Sequence, residues 1–222
     1  MKTKAIALIT ACLFTGLLTL AQSKKAATGG ASFGIRAGVN FQNLNGEFIG
    51  ADLDNKIKTG FNVGVNAEIP LADEFYLQPG LLFTTKGADL DDNNNSKFNI
   101  SYLELPVTFL YKPMLGTGHL LLGVGPYAGY AIGGKIKRDN GDIDLEFNSK
   151  LTGAEAIRYG YTIRRFDFGG NLLFGYEFSN RLSAQLNAQL GLANISPKTD
   201  GLDTDDNYTK NTGFGVSLGY RF

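Results

Sequence analysis

Residues 212–222 read Thr-Gly-Phe-Gly-Val-Ser-Leu-Gly-Tyr-Arg-Phe. Phe214, Val216, Leu218, Tyr220 and Phe222 are large and apolar, and between them stand Gly213, Gly215, Ser217, Gly219 and Arg221. A period of two marks an extended strand with one apolar and one polar face. The polar face is odd for one that meets water, because three of its five residues are glycine.

The alternation recurs upstream. In 31–41, Phe33, Ile35, Ala37, Val39 and Phe41 interleave with Gly34, Arg36, Gly38 and Asn40; in 60–69, Phe61, Val63, Val65, Ala67 and Ile69 interleave with Asn62, Gly64, Asn66 and Glu68. Segments 75–87, 98–112, 120–132, 166–178 and 181–193 repeat it, with Lys86, Glu104, Asp167 and Glu177 on their polar faces. The connections alternate in length: 70–74, 113–119 and 179–180 are short, whereas 42–59, 88–97, 133–165 and 194–211 are long and polar. An up-and-down antiparallel sheet then gathers tight turns at one end and long loops at the other. Within the third long loop, Asn140-Gly141 is a hairpin-turn signal. It predicts that the fifth segment folds back as a small ribbon, with Ile143, Leu145 and Phe147 packing on Tyr159 and Tyr161, the alternative being a partner-binding strip.

Parity alone does not say which face is inside. A soluble lipocalin-like barrel would turn the apolar set inward. The inverted arrangement fits better. Strands of about 9–11 residues match a bilayer core, and an even strand number with short turns opposite long loops matches outer-membrane barrels. Small residues and sparse charges of both signs suit a narrow lumen; an arginine or lysine turned to lipid costs about 2–4 kcal/mol at the midplane. The aromatics also sort by height. Phe33, Phe75, Tyr111, Tyr176, Phe178, Tyr220 and Phe222 fall near the short-turn rim, and Phe41, Phe61, Phe83, Tyr130, Phe166, Phe168 and Phe214 near the other. Two aromatic girdles around an aliphatic belt are what a bilayer selects.

Composition bounds the rest. The 222 residues hold 21 Lys plus Arg against 21 Asp plus Glu, so no overall basicity points to nucleic acid. One cysteine excludes a disulfide framework. Residues 1–21 read as a secretory signal peptide: Lys2 and Lys4, an apolar run over 5–20, and small residues before a cut after Ala21. Residues 22–30 form a short linker and 31–222 the barrel domain.

Little in the chain resembles catalytic machinery. The single histidine, His119, adjoins a short turn, far from the long-loop rim where barrel enzymes place a nucleophile and base. Asp167 and Glu177 lie ten residues apart on one strand, roughly 30 Å at ~3.3 Å per residue, too far for a glycosidase pair. The acidic runs 89–95 and 200–207 lack the glycine and terminal glutamate of an EF-hand. No catalytic, cofactor or metal residue is assigned. The expected site residues are the lumen charges Arg36, Glu68, Lys86, Glu104, Asp167, Glu177 and Arg221, bracing the barrel through ion pairs.

Phe33-Gly-Ile-Arg-Ala-Gly-Val-Asn40, Tyr76-Leu-Gln-Pro-Gly-Leu-Leu-Phe83 with Lys86-Gly87, Tyr102-Leu-Glu-Leu-Pro-Val107, Gly123-Val-Gly-Pro-Tyr-Ala-Gly129, Phe166-Asp-Phe-Gly-Gly170 and Gly219-Tyr-Arg-Phe222 carry a resemblance across nearly the whole chain. It resembles the small outer-membrane β-barrel family of Bacteroidota-type bacteria that includes PorT-like proteins. The resemblance implies a bacterial outer-membrane location, no cofactor, and a part in protein export or surface assembly. It also implies that Tyr220 and Phe222 form a C-terminal signal read by the barrel assembly machinery. The expected molecule is thus an all-β, eight-stranded antiparallel up-and-down transmembrane β-barrel following a signal peptide. It is monomeric, with both termini in the periplasm. Outer-membrane lipids and lipopolysaccharide surround it, and a protein partner meets the extracellular loops or periplasmic rim. Eight strands leave an interior that side chains fill, so a narrow or gated small-solute channel is the alternative.

Overall fold

The structure is a computed structural model that describes residues 30–48, 51–52, 55–90, 96–152, 154–155, 161–199 and 207–222. The signal segment, nearly all of the linker, Tyr159 and most of the two acidic runs lie outside the described residues. Eight long strands build the fold: β1 (Ser32–Phe48), β2 (Lys58–Ala72), β3 (Phe75–Leu90), β4 (Lys97–Tyr111), β5 (Gly118–Lys137), β6 (Phe166–Glu177), β7 (Leu182–Gly191) and β8 (Tyr208–Arg221). Each pairs antiparallel with its sequence neighbour, and β8 closes on β1 from Gly34–Arg221 to Glu47–Tyr208. No sheet edge is left open, so the wall closes on itself, as a bilayer demands.

The apolar face points outward. Val216 is 47% and Leu218 68% exposed, whereas Ser217 between them is 1% exposed. Phe61, Val63 and Val65 face out on β2 while Asn66 and Glu68 are buried, and Leu103, Leu105 and Phe109 face out on β4 while Tyr102, Glu104 and Thr108 are buried. Rings pair within each girdle. Phe75–Tyr111 (4.8 Å), Tyr176–Phe178 (5.1 Å) and Tyr220–Phe222 (5.4 Å) ring the short-turn end. Phe41–Phe214 (5.2 Å), Phe61–Phe83 (5.6 Å) and Tyr130–Phe166 (5.1 Å) ring the other.

The strands run further at the long-loop end than the expected segments: β1 continues to Phe48, β3 to Leu90 and β5 to Lys137, and β8 begins at Tyr208. Toward this end of the strands the parity inverts. Leu44, Ala88, Phe98, Ile100, Ala131 and Ile136 turn inward and are buried, while Lys97, Lys135 and Lys137 turn outward. The reason is the solvent. Beyond the girdle the outside is water, so the apolar side must move in. The predicted ribbon forms, with Lys135 opposite Asp144 and Ile136 opposite Ile143 around a turn at Gly141 (φ 119°). Leu145, Ile163 and Ile195 from the loops are buried with the inward residues, and Phe147 packs on them. Tyr161 accepts a hydrogen bond from Arg138 at 2.7 Å.

At the short-turn end, three connections share one device: Glu74 (φ 64°), Gly116 (φ 64°) and Arg181 (φ 67°) each adopt the left-handed conformation that reverses the chain tightly. The middle connection, expected as a plain turn over 113–119, is itself a tiny hairpin in which Met114–Leu115 pair with Gly118–His119.

Candidate functional site: the charged lumen

Two charge clusters occupy the lumen. The first joins β3, β4 and β6. Lys86 Nζ lies 2.8 Å from Glu104 and 3.2 Å from Asp167, and all three side chains are sealed from solvent. Tyr127 donates its hydroxyl to Asp167 Oδ2 at 3.3 Å, Asn211 donates to the same oxygen at 3.0 Å, and Gln189 donates to Glu104. The Lys86 ammonium also lies 4.2 Å from the Tyr127 ring centre. Lys86 owes its place partly to Gly87, whose φ of 136° and approach to the Phe98 carbonyl leave no room for a Cβ. A charge so buried is tolerated only because it is paired and hydrogen-bonded on several sides.

The second cluster sits at the short-turn mouth and ties β2, β4, β6 and β8. Lys112 Nζ lies 3.0 Å from Glu68 and 2.8 Å from Glu177. Arg221 pairs with Glu68 and donates to Asn66 Oδ1 at 2.7 Å, while Gln78 donates to Glu68 Oε1 at 3.1 Å. Lys112 was legible by parity, since it continues the series Tyr102, Glu104, Thr108, but its position at the end of a segment hid it.

Arg36 departs from expectation. It is buried, yet among the described residues it makes no ion pair; its Nη1 donates to Asn187 Oδ1 at 3.2 Å. Glu104, which lines the same cavity as Arg36, is already engaged by Lys86 and Gln189. A small cavity of about 30 Å³ lies beside it, lined by Arg36, Asn40, Gln42 and Gln189 among others. With Lys112 included, the inward charges named above are four positive and four negative, so the lumen is close to neutral.

Asp167 and Glu177 belong to different clusters, with no shared partner among the described residues. His119 sits at the short-turn end opposite Glu177 and Met114. Among the described residues, no group of three or more His, Cys, Asp or Glu side chains could hold a metal.

The family described as outer membrane protein beta-barrel domain matches residues 20–196. No curated protein matches the chain. Among solved structures, the chain is similar to the attachment invasion locus protein Ail of Yersinia pestis, with 15% identity, a TM-score of 0.42, and coverage of 86% of this chain and 99% of that one. It is also similar to neisserial surface protein A, with 10% identity, a TM-score of 0.47, and coverage of 87% and 100%. For OprG of Pseudomonas aeruginosa the values are 15% identity, a TM-score of 0.45, and coverage of 86% and 96%.

Proposed function

The chain belongs to the outer membrane protein beta-barrel domain family and resides in the bacterial outer membrane, and from that premise we propose that it is a non-enzymatic structural or protein-interaction component whose axis is closed. The observation that carries this reading is how the lumen is filled. The Lys112 cluster spans one mouth, the Lys86 cluster spans the interior, and Leu145, Ile163 and Ile195 lie over the inward apolar residues at the other end. The cavity beside Arg36 has room for about one water molecule. Arg36, Glu68, Lys86, Glu104, Asp167, Glu177 and Arg221 then serve as internal braces, most of them through ion pairs and Arg36 through Asn187.

On this reading residues 1–21 are removed as a signal peptide, 22–30 link, and 31–222 form a monomeric barrel with its short turns in the periplasm. Lipid and lipopolysaccharide surround the wall. Tyr220 and Phe222 supply the aromatic end read by the assembly machinery; Phe222 still bonds through its backbone to Phe33. A PorT-like part in export or surface assembly places a protein partner at the long loops or the periplasmic rim. Crosslinking in intact cells from those two surfaces is expected to capture one discrete protein. In planar bilayers the purified protein is expected to give no stable conductance steps; steady steps would replace the closed-axis reading with a narrow channel.

A further inference from the structure

Besides Pro70 near the end of β2, three prolines stand inside neighbouring strands: Pro79 in β3, Pro106 in β4 and Pro126 in β5. Proline has no N–H to give a ladder and is rare within central strands. Its effect is visible in the pairing. The ladder lapses between Asn66–Gly80 and Ile69–Leu77, between Pro79–Val107 and Leu82–Glu104, and between Pro106–Tyr127 and Phe109–Val124. The other five interfaces of the barrel pair without a break. In hydrocarbon no water replaces a missing partner, so this sector of wall is the weakest held.

Two further features adjoin the lapse. Outside, a groove of about 420 Å³ opens on the lipid face, walled by Phe109, Val124, Leu172 and Phe174 with Gly123 and Leu173 also in its lining. Inside, Leu110, Leu121 and Leu173 form a buried apolar cluster with Tyr76 against it. The other inward apolar cluster lies beyond the girdle, where water accounts for it. This one lies at membrane height in a mostly polar lumen. Gly123 adds no side chain to the wall between groove and cluster, and a Cβ there would meet the Thr108 methyl at 2.6 Å, Leu173 at 3.2 Å and Leu110 at 3.5 Å.

We propose that β3–β5 form a lateral port, through which an acyl chain of the surrounding lipid reaches from the groove to the Leu110–Leu121–Leu173 cluster. The occupant is an acyl chain because both sides of the thin wall are carbon-lined and the medium outside is hydrocarbon. The port rests on the membrane location and the proline lapse, not on the closed axis.

The test uses the protein in vesicles of phosphatidylethanolamine and phosphatidylglycerol carrying a phospholipid with a mid-chain diazirine. Photolysis is expected to label inward Leu110, Leu121 or Leu173 as well as outward Phe109 and Val124. In the same vesicles, amides flanking the three prolines are expected to exchange hydrogen about tenfold faster than those at equal depth in β6–β8. The Pro79→Val/Pro106→Val/Pro126→Val variant, which restores three donors, is expected to lose most inward labelling and keep the outward. Labels confined to outward residues, or exchange no faster than in β6–β8, would overturn the port. Both are read on the wild-type chain, so the test stands even if the variant does not fold.

Discussion

Lys112 Nζ stands 2.8 Å from Glu177 Oε1, joining the residue after β4 to the last residue of β6 across the barrel mouth. The same ammonium holds Glu68, and Arg221 holds Glu68 from the far side. Four strands therefore meet in one chain of charges. Replacing Lys112 by Met leaves Glu177 with no cation and Glu68 with one. Losing one partner of a buried pair costs about 3 kcal/mol. Urea unfolding in lipid vesicles is expected to show a loss of that order, and Glu177→Gln added to Lys112→Met is expected to restore part of it.

The Lys86 cluster makes a sharper case. Lys86→Met strands two sealed carboxylates, Glu104 and Asp167, and is expected to cost roughly 3–5 kcal/mol. Lys86→Met combined with Glu104→Gln and Asp167→Asn removes the charges together and is expected to recover most of that stability. If the triple variant is no more stable than the single, the ion pairs are not what the site depends on.

The parity inversion locates the membrane surface on β4. Leu105 faces lipid and Asn99, six residues nearer the long loops, faces water. Leu105→Arg is expected to destabilise by about 2–4 kcal/mol, and Asn99→Arg by less than about 0.5 kcal/mol. Equal costs would mean that no hydrocarbon boundary lies between the two positions.

Arg181 sits at φ 67° at the end of the four-residue connection between β6 and β7. A left-handed conformation costs a residue with a Cβ about 1 kcal/mol, part of which glycine returns as unfolded-state entropy. Arg181→Gly is expected to gain about 0.5 kcal/mol, while Arg181→Ala, which keeps the Cβ, gains nothing; thermal unfolding compares the pair.

In the long loop after β5, the Glu155 carboxylate accepts hydrogen bonds from Thr152 N at 2.9 Å and Thr152 Oγ1 at 3.0 Å. These bonds hold its pKa below the ordinary carboxylate value. A depressed folded value means that the contact contributes above the ordinary carboxylate range and is lost as pH falls through the folded pKa. Thr152→Val is expected to raise the Glu155 pKa, read by carboxyl NMR titration.

The wall was legible in the sequence because a bilayer imposes one rule on every strand, carbon out and small or polar in, from Phe33–Phe41 to Phe214–Phe222. The same rule hid what it does not govern. Beyond the long-loop girdle water reverses it, so Leu44 and Ile136 read as loop residues, Phe98 and Ile100 as the start of a strand, and all four proved to be an inner core. Lys112 followed the parity but closed a segment whose partners, Glu68 and Glu177, stand 44 and 65 residues away. Which charge meets which depends on the height at which strands pass one another, and strand parity carries no height. Arg36 shows the limit: its parity is right, and its partner is an amide.

The central claim is the direction of the two faces, and β8 tests it most directly. Single spin labels at each position from Phe214 to Arg221, in vesicles, report collision with oxygen dissolved in lipid and with a water-soluble nickel chelate. The account predicts a period of two, with oxygen favoured at Phe214, Val216, Leu218 and Tyr220 and suppressed at Gly215, Ser217, Gly219 and Arg221. The opposite phase, with Phe214, Val216, Leu218 and Tyr220 shielded from lipid and their neighbours open to the chelate, would contradict it and make the molecule a soluble barrel with an apolar interior.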